Sequence, residues 1–218
     1  MKVFIVGAGN MGRGIATRLL AGGHTLTLYD INPDTATKLA NDLAGIDAKK
    51  PETTQVPEDA AASSDVTVLA SWYGSNLEVA QKLGKALDGR IVIDISNPLN
   101  DQYNGLVTSP DTSAAETIRS VLPEGSKLVK AFNTTFAGTL VAGQVAEQPL
   151  DVFIAGDDES AKNVVKELVQ SGGMHPVDVG ALERARQLEA IGLLGITLQG
   201  SLGTGFMSGW KLVLPKAA

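Results

Sequence analysis

An apolar run, Lys2-Val3-Phe4-Ile5-Val6, leads without a break into Gly7-Ala8-Gly9-Asn10-Met11-Gly12. Helical spacing at Ile15, Leu19 and Leu20 follows at once. A strand, a G-x-G-x-x-G turn and a helix in that order leave few folds open, because each glycine has its own steric task. Gly7 permits the tight turn. Gly9 lets the backbone approach a pyrophosphate. Gly12 lets the new helix pack closely on the strand. The first helical amides, from Asn10 and Met11 onward, then point at the phosphates, where the helix dipole favours negative charge. An ordinary glycine-rich turn also fits the motif, so the flanking chain has to decide.

A Gly22-Gly23 stop ends the helical pattern, and a second apolar strand follows, Thr25-Leu26-Thr27-Leu28-Tyr29. It runs into Asp30, eighteen positions past Gly12. That is close to the roughly 20 expected of a carboxylate that bonds the adenosine ribose of a dinucleotide. Asp30, Ile31 and Asn32 are therefore read as the adenosine end of an NAD(P)H site. Asp30 favours NADH, since a 2′-phosphate would meet like charge there. No lysine or arginine lies between Asp30 and Lys38. Arg13 is the one nearby cation that can serve NADPH instead.

Composition narrows the classes. The net charge of −6 gives no electrostatic reason to bind nucleic acid or an anionic membrane. There are no cysteines, which rules out disulfides, thiolate metal sites and thiol nucleophiles. With only His24 and His175, a histidine metal cluster is not expected. No stretch approaches the ~20 apolar residues of a membrane helix, and the expected location is cytoplasmic.

Further along, Pro33–Leu43 reads as a helix capped by Asn32. Residues 45–62 read as a loop with at most one short strand. Val66–Ala70, Ile91–Ile95 and Leu128–Phe132 read as strands, and Leu77–Leu87 and Ser113–Leu122 as helices. Ser113 and Glu116 stand at capping-box spacing. Gly138–Gln148 reads as irregular. Val152–Ala155 and Pro176–Val179 read as strands, with helices over Ser160–Gln170 and from Leu182 to about Gln199. The alternation predicts an α/β fold: a Rossmann, doubly wound, mainly parallel sheet with a small C-terminal α/β extension. The expected division is a dinucleotide-binding part, residues 1–136, and a part closing the acceptor pocket, residues 137–218.

Ligands of open parallel sheets lie outside the carboxyl ends of the strands. Those ends carry Ser71, Trp72 and Tyr73, then Ser96-Asn97-Pro98-Leu99-Asn100, then Phe132-Asn133-Thr134-Thr135-Phe136. Asn97 and Pro98 suit the nicotinamide ribose or carboxamide, although Asn and Pro are also ordinary turn residues. Phe132-Asn133-Thr134-Thr135-Phe136, with hydrogen-bonding groups between two rings, suits a flat ring lying on the nicotinamide, and Asn133 and Thr134 are the best catalytic candidates. The alternative is a strand end with core phenylalanines. Trp72 and Tyr73 either wall the pocket or fill the core. His24 and His175 read as surface or turn residues. Glu183, Arg184, Arg186 and Glu189 read as a solvated helix face with i,i+3 ion pairs. Leu182, Leu193, Leu194, Ile196 and Leu198 read as core or as the surface of a homodimer.

Five strings together resemble one family, the coenzyme F420 (deazaflavin)-dependent NADP oxidoreductases, with the cytosolic reductase domain of the six-transmembrane ferric reductases as a relative. They are Val6 to Gly14, Asp94-Ile95-Ser96-Asn97-Pro98, Val129-Lys130-Ala131-Phe132-Asn133-Thr134, Ala155-Gly156-Asp157-Asp158-Glu159-Ser160-Ala161-Lys162, and Pro176-Val177-Asp178-Val179-Gly180-Ala181-Leu182. The resemblance implies hydride transfer between nicotinamide and a flavin, a deazaflavin or another small acceptor. NADP-binding members carry Ser-Arg-Arg or Ser-Arg-Asn where this chain has Asp30-Ile31-Asn32. Deazaflavin users place histidine where Asn133 stands, and the ferric-reductase domains place asparagine there. Two rival readings stay open, a small-substrate imine or carbonyl reductase and a non-catalytic dinucleotide redox sensor.

Overall fold

The computed structural model describes residues 1–46 and 50–215. Parts of two expectations lie outside the described residues: positions 47–49 of the expected loop, and 216–218 of the C-terminal part. The chain opens with β1 (Lys2–Val6), α1 (Asn10–Ala21), β2 (Thr25–Tyr29), α2 (Pro33–Asp42) and β3 (Glu52–Thr53). It then turns back through α3 (Pro57–Ser63) to β4 (Val66–Leu69), α4 (Tyr73–Leu83), β5 (Ile91–Asp94), α5 (Ala114–Val121) and β6 (Lys127–Lys130). These six strands are parallel and ordered β3-β2-β1-β4-β5-β6. The winding reverses between β1 and β4. The crevice that forms where strand order reverses therefore opens beside the glycine loop.

Alternation along β1 feeds both faces of the sheet. Val3 and Ile5 pack with Ile15, Leu19 and Leu28 on one side, and Phe4 and Val6 with Leu83, Leu87 and Ile118 on the other. A strand covered on both faces has no polar side. That is why the strand segments read as continuous apolar runs.

The remaining elements are α6 (Ala137–Ala142), β7 (Gln144–Val145), β8 (Gln148–Pro149), β9 (Asp151–Gly156), α7 (Glu159–Ser171), β10 (His175–Gly180) and α8 (Ala185–Leu202). β9 joins the same sheet, antiparallel to β6, and β10 extends it in parallel with β9. Because β9 runs against β6 with Lys130 opposite Ala155, its first residue, Asp151, lies beyond the carboxyl end of β6. After α8 the described residues have no regular structure.

Two expected loops prove partly ordered. Residues 45–62 contain α3, with Pro57 in its first turn. Gly138–Gln148 contains most of α6 and the β7–β8 hairpin. Helices of seven and six residues are too short to show a 3.6-residue period. α6 is held by packing instead: a Cβ on Gly14 of α1 would come within 2.7 Å of Leu140 Cβ.

Candidate functional site

The glycine loop has the stereochemistry the motif demands. Gly7 has φ +105°, and a Cβ there would sit 2.7 Å from the Ala70 carbonyl oxygen. A Cβ on Gly12 would come within 2.0 Å of the Gly7 carbonyl oxygen. Gly12 thus lies beneath the loop, letting α1 close on it. A Cβ on Gly9 meets nothing within 4 Å. Gly9 therefore borders open space rather than protein. It is also the N-cap of α1, with no side-chain cap and no acid in the first turn. The helix start leaves its amides and positive dipole end free for an anion, and the cradle fits a pyrophosphate.

Asp30 closes this end of the cleft. Its Oδ2 accepts from Ala8 N at 2.9 Å and its Oδ1 from Asn32 N at 3.0 Å. Each oxygen keeps a lone pair for a further donor. Ile31 stands 92% exposed and Asn32 caps α2 by accepting from Asp34 N. Neither side chain lines the cleft. Arg13 does line it, and its guanidinium donates to Asp42 Oδ2 at 2.6 Å.

From Asp30 the cleft, about 930 Å³ in volume, runs past Gly7, Gly9, Asn10, Met11, Ser71 and Trp72 to Asn97 and Asn133. The two asparagines form a reciprocal pair. Asn133 Nδ2 donates to Asn97 Oδ1 at 2.9 Å, and Asn97 Nδ2 donates to the Asn133 carbonyl at 2.9 Å. Asn133 Nδ2 also donates to the Leu188 carbonyl on α8. Gly192 makes this possible, since a Cβ there would fall 2.5 Å from Asn97 Oδ1. Asn133 Oδ1 is left buried without a partner.

Five other expected site residues lie off the cleft lining: Gly12, Tyr73, Pro98, Phe132 and Thr134. Tyr73 starts α4 and packs on the core. Phe132 adopts φ +64° and is buried. Its carbonyl accepts from both Thr135 N and Thr135 Oγ1. That turn sends Phe132 into the core and brings Thr135 and Phe136 to the cleft instead. Thr134 is buried with its hydroxyl unpartnered.

Beneath the far wall lies an ionic cluster that contradicts the expected solvated face of the last helix. Glu189 is completely buried. Its Oε1 accepts from Lys130 Nζ at 2.8 Å, and its Oε2 from Ala114 N at 2.9 Å, at the start of α5. Lys130 Nζ also donates to Asp94 Oδ2 and to the Ser96 carbonyl. Burial pulls the Lys130 pKa down, but the Asp94 and Glu189 carboxylates outweigh it and hold it above the ordinary lysine value. Burial raises Glu189, which the Lys130 charge only partly offsets. Arg186 bridges to Glu116 on α5 at 2.6 Å rather than to an i,i+3 neighbour. The Glu116 carboxylate holds that arginine and the Ser113 hydroxyl together.

His24 stands in the turn before β2 and His175 opens β10, and both side chains have partners. His24 is buried, with Nε2 2.7 Å from Ser171 Oγ. Burial and the nearby N-terminus both lower its pKa. His175 is exposed, but its Nδ1 lies 3.0 Å from the buried carboxylate of Asp151. The same carboxylate takes Lys211 Nζ at 2.5 Å and Leu212 N at 2.7 Å. This hold lays the chain after α8 across the cleft, where Phe206 meets Phe136 edge-on with ring centres 5.3 Å apart. Phe206 and Ile196 complete the far wall, and only the glycine-rich spacing around Phe206 marks that stretch in the sequence.

Among the described residues, no cluster of three or more His, Cys, Asp or Glu can hold a metal ion. No described helix is long and apolar enough to cross a membrane.

The family model for NADP oxidoreductase, coenzyme F420-dependent, matches residues 2–98. The F420-dependent NADP reductase of Methanocaldococcus jannaschii is 33% identical over 229 residues, covering 94% of this chain and 96% of the relative. Metalloreductase STEAP3 of Rattus norvegicus is 33% identical over 195 residues, 88% of this chain. The chain spans only 36% of that longer protein. A crystal structure assigned to the F420-dependent NADP-reductases of Arthrobacter sp. FB24 superimposes with TM-score 0.85 at 28% identity, over 98% of this chain and all of the other. The imine reductase of Streptomyces aurantiacus, at 15% identity and TM-score 0.66, shares the fold. The match to the archaeal reductase runs nearly end to end, and the chain belongs to the coenzyme F420-dependent NADP oxidoreductase family, as an NAD(P)-dependent oxidoreductase.

Proposed function

We propose that the cleft holds a nicotinamide dinucleotide, NADH in preference to NADPH, and passes hydride between it and a small flat-ring acceptor such as a flavin or deazaflavin. One observation carries the reading: a single cleft joins the open Gly9 cradle and Asp30 to an end walled by Phe136, Ile196 and Phe206. The dinucleotide supplies the hydride chemistry. Gly7–Gly12 holds the pyrophosphate, Asp30 accepts from the adenosine ribose hydroxyls, and the Asn97–Asn133 pair positions the nicotinamide end. The apolar wall excludes water. No lysine or histidine among the described residues lines the cleft, which suits an acceptor ring that needs no positioned proton donor from the chain. The archaeal relative's name makes a deazaflavin one acceptor to test.

NADH oxidation against a panel of flavins, deazaflavins, quinones, imines and carbonyls tests this. Turnover with a ring acceptor supports it. Turnover only with imines or carbonyls assigns the small-substrate reading, with Tyr103 as the phenol in the lining. Tight cofactor binding without turnover marks a redox sensor.

A further inference from the structure

Arg13 is the only lysine or arginine among the described residues that line the cleft. Among the described lining residues, that guanidinium is the counter-charge for a 2′-phosphate arriving beside Asp30. The guanidinium is already engaged. It donates to Asp42 Oδ2 at 2.6 Å. Asp42 is the last residue of α2 and does not line the cleft.

We infer that Asp42 determines cofactor specificity: by holding Arg13, it withholds the cleft's lining cation from the 2′-phosphate of NADPH. This rests on the reading that the adenosine ribose lies at Asp30, and it adds a second element to that preference. Asp30 repels the phosphate directly. Asp42 removes the compensation that a neighbouring arginine would give. The pair is partly exposed, with side chains 39% and 38% accessible, so it is screened and individually weak. A dianionic phosphate competes with it on fair terms, and releasing Arg13 should change NADPH affinity by about fivefold rather than by orders of magnitude.

The test is a set of dissociation constants for NADH and NADPH, read by cofactor fluorescence, on wild type, Asp42→Ala, Asp42→Asn and the double variant Asp42→Ala with Arg13→Ala. Asp42→Ala should bind NADPH about fivefold more tightly, with NADH affinity within about twofold of wild type. Asp42→Asn, which keeps the shape and loses the charge, should move the same way by less. The gain should vanish in the double variant. Unchanged NADPH affinity in both single variants overturns the inference, as does a gain that survives loss of Arg13. If wild type itself binds NADPH more tightly than NADH, the Asp30 reading fails. The comparison of single and double variants still reports on Asp42 separately.

Discussion

Lys130 Nζ lies 2.8 Å from Glu189 Oε1, and this buried contact ties the end of β6 to α8. Through it, Asp94 of β5, the Ser96 carbonyl in the cleft wall and the first amides of α5 are joined to one ammonium. Removing Lys130 leaves the Asp94 and Glu189 carboxylates buried without their counter-charge, whereas removing Glu189 leaves Lys130 paired with Asp94. Lys130→Met should lower stability by about 3–5 kcal/mol and Glu189→Leu by less, measured by urea unfolding. Changing both together should cost much less than the sum of the two. An additive double variant would show that the contact is not coupled.

Gly9 and Gly12 should fail in different ways. Gly9→Val places a branched side chain in open space, so the protein should melt like wild type and lose dinucleotide binding. Gly12→Ala drives a methyl group to 2.0 Å from the Gly7 carbonyl oxygen. It should cost about 1–3 kcal/mol of stability as well as affinity. Thermal melts and cofactor titrations on both variants separate the two effects. Wild-type affinity in Gly9→Val would move the phosphates elsewhere.

Asn133→Ala removes the donors to Asn97 Oδ1 and the Leu188 carbonyl at once. It should loosen the wall at the nicotinamide end while leaving the phosphate and ribose contacts intact. Turnover should fall by on the order of 100-fold with dinucleotide affinity changed only a few-fold. Steady-state kinetics beside direct binding measurements decide it. Equal losses in both would mean that Asn133 holds the cofactor rather than the geometry of transfer.

Asp158 caps α7 and accepts from Ser160 Oγ, Ala161 N and Lys127 Nζ, in that order of effect, which holds its pKa down to about 2. A carboxyl depressed in the folded state stabilises above its unfolded value near 3.8 and loses that contribution as pH falls towards 2. Asp158→Ala should therefore be less stable than wild type at neutral pH. The gap in urea midpoint should close over that acid window. A gap that stays constant down to pH 2 would assign the loss to packing instead.

The glycine turn and the strands around it were legible because their signals are local: three glycines, one strand and one acid mark them. The strand ends were legible for the same reason, since period and turn residues mark them. Which side chain at each end faces the cleft was not. Phe132 turns into the core only because its backbone enters the left-handed region, and Pro98 and Thr134 fall off the lining with no local mark. Glu189 sits among Glu183, Arg184 and Arg186, a spacing that reads as a solvated stripe. Its burial is decided by Lys130, fifty-nine residues earlier. Phe206 reaches the cleft through a hold on Asp151 that spans sixty residues, and no window of sequence contains both.

That hold has a consequence for how the cleft comes into being. The glycine loop and Asp30 lie within the first thirty residues and pack on strands complete by Ala70, whereas Phe206 arrives only when Lys211 and Leu212 reach Asp151. A chain emerging from its N-terminus acquires the two ends of its cleft in sequence, and the second waits for a closure of high contact order. A nascent or partly refolded molecule should thus form the glycine cradle before the wall that Phe206 completes, so a complete cleft is the last feature the folding chain gains.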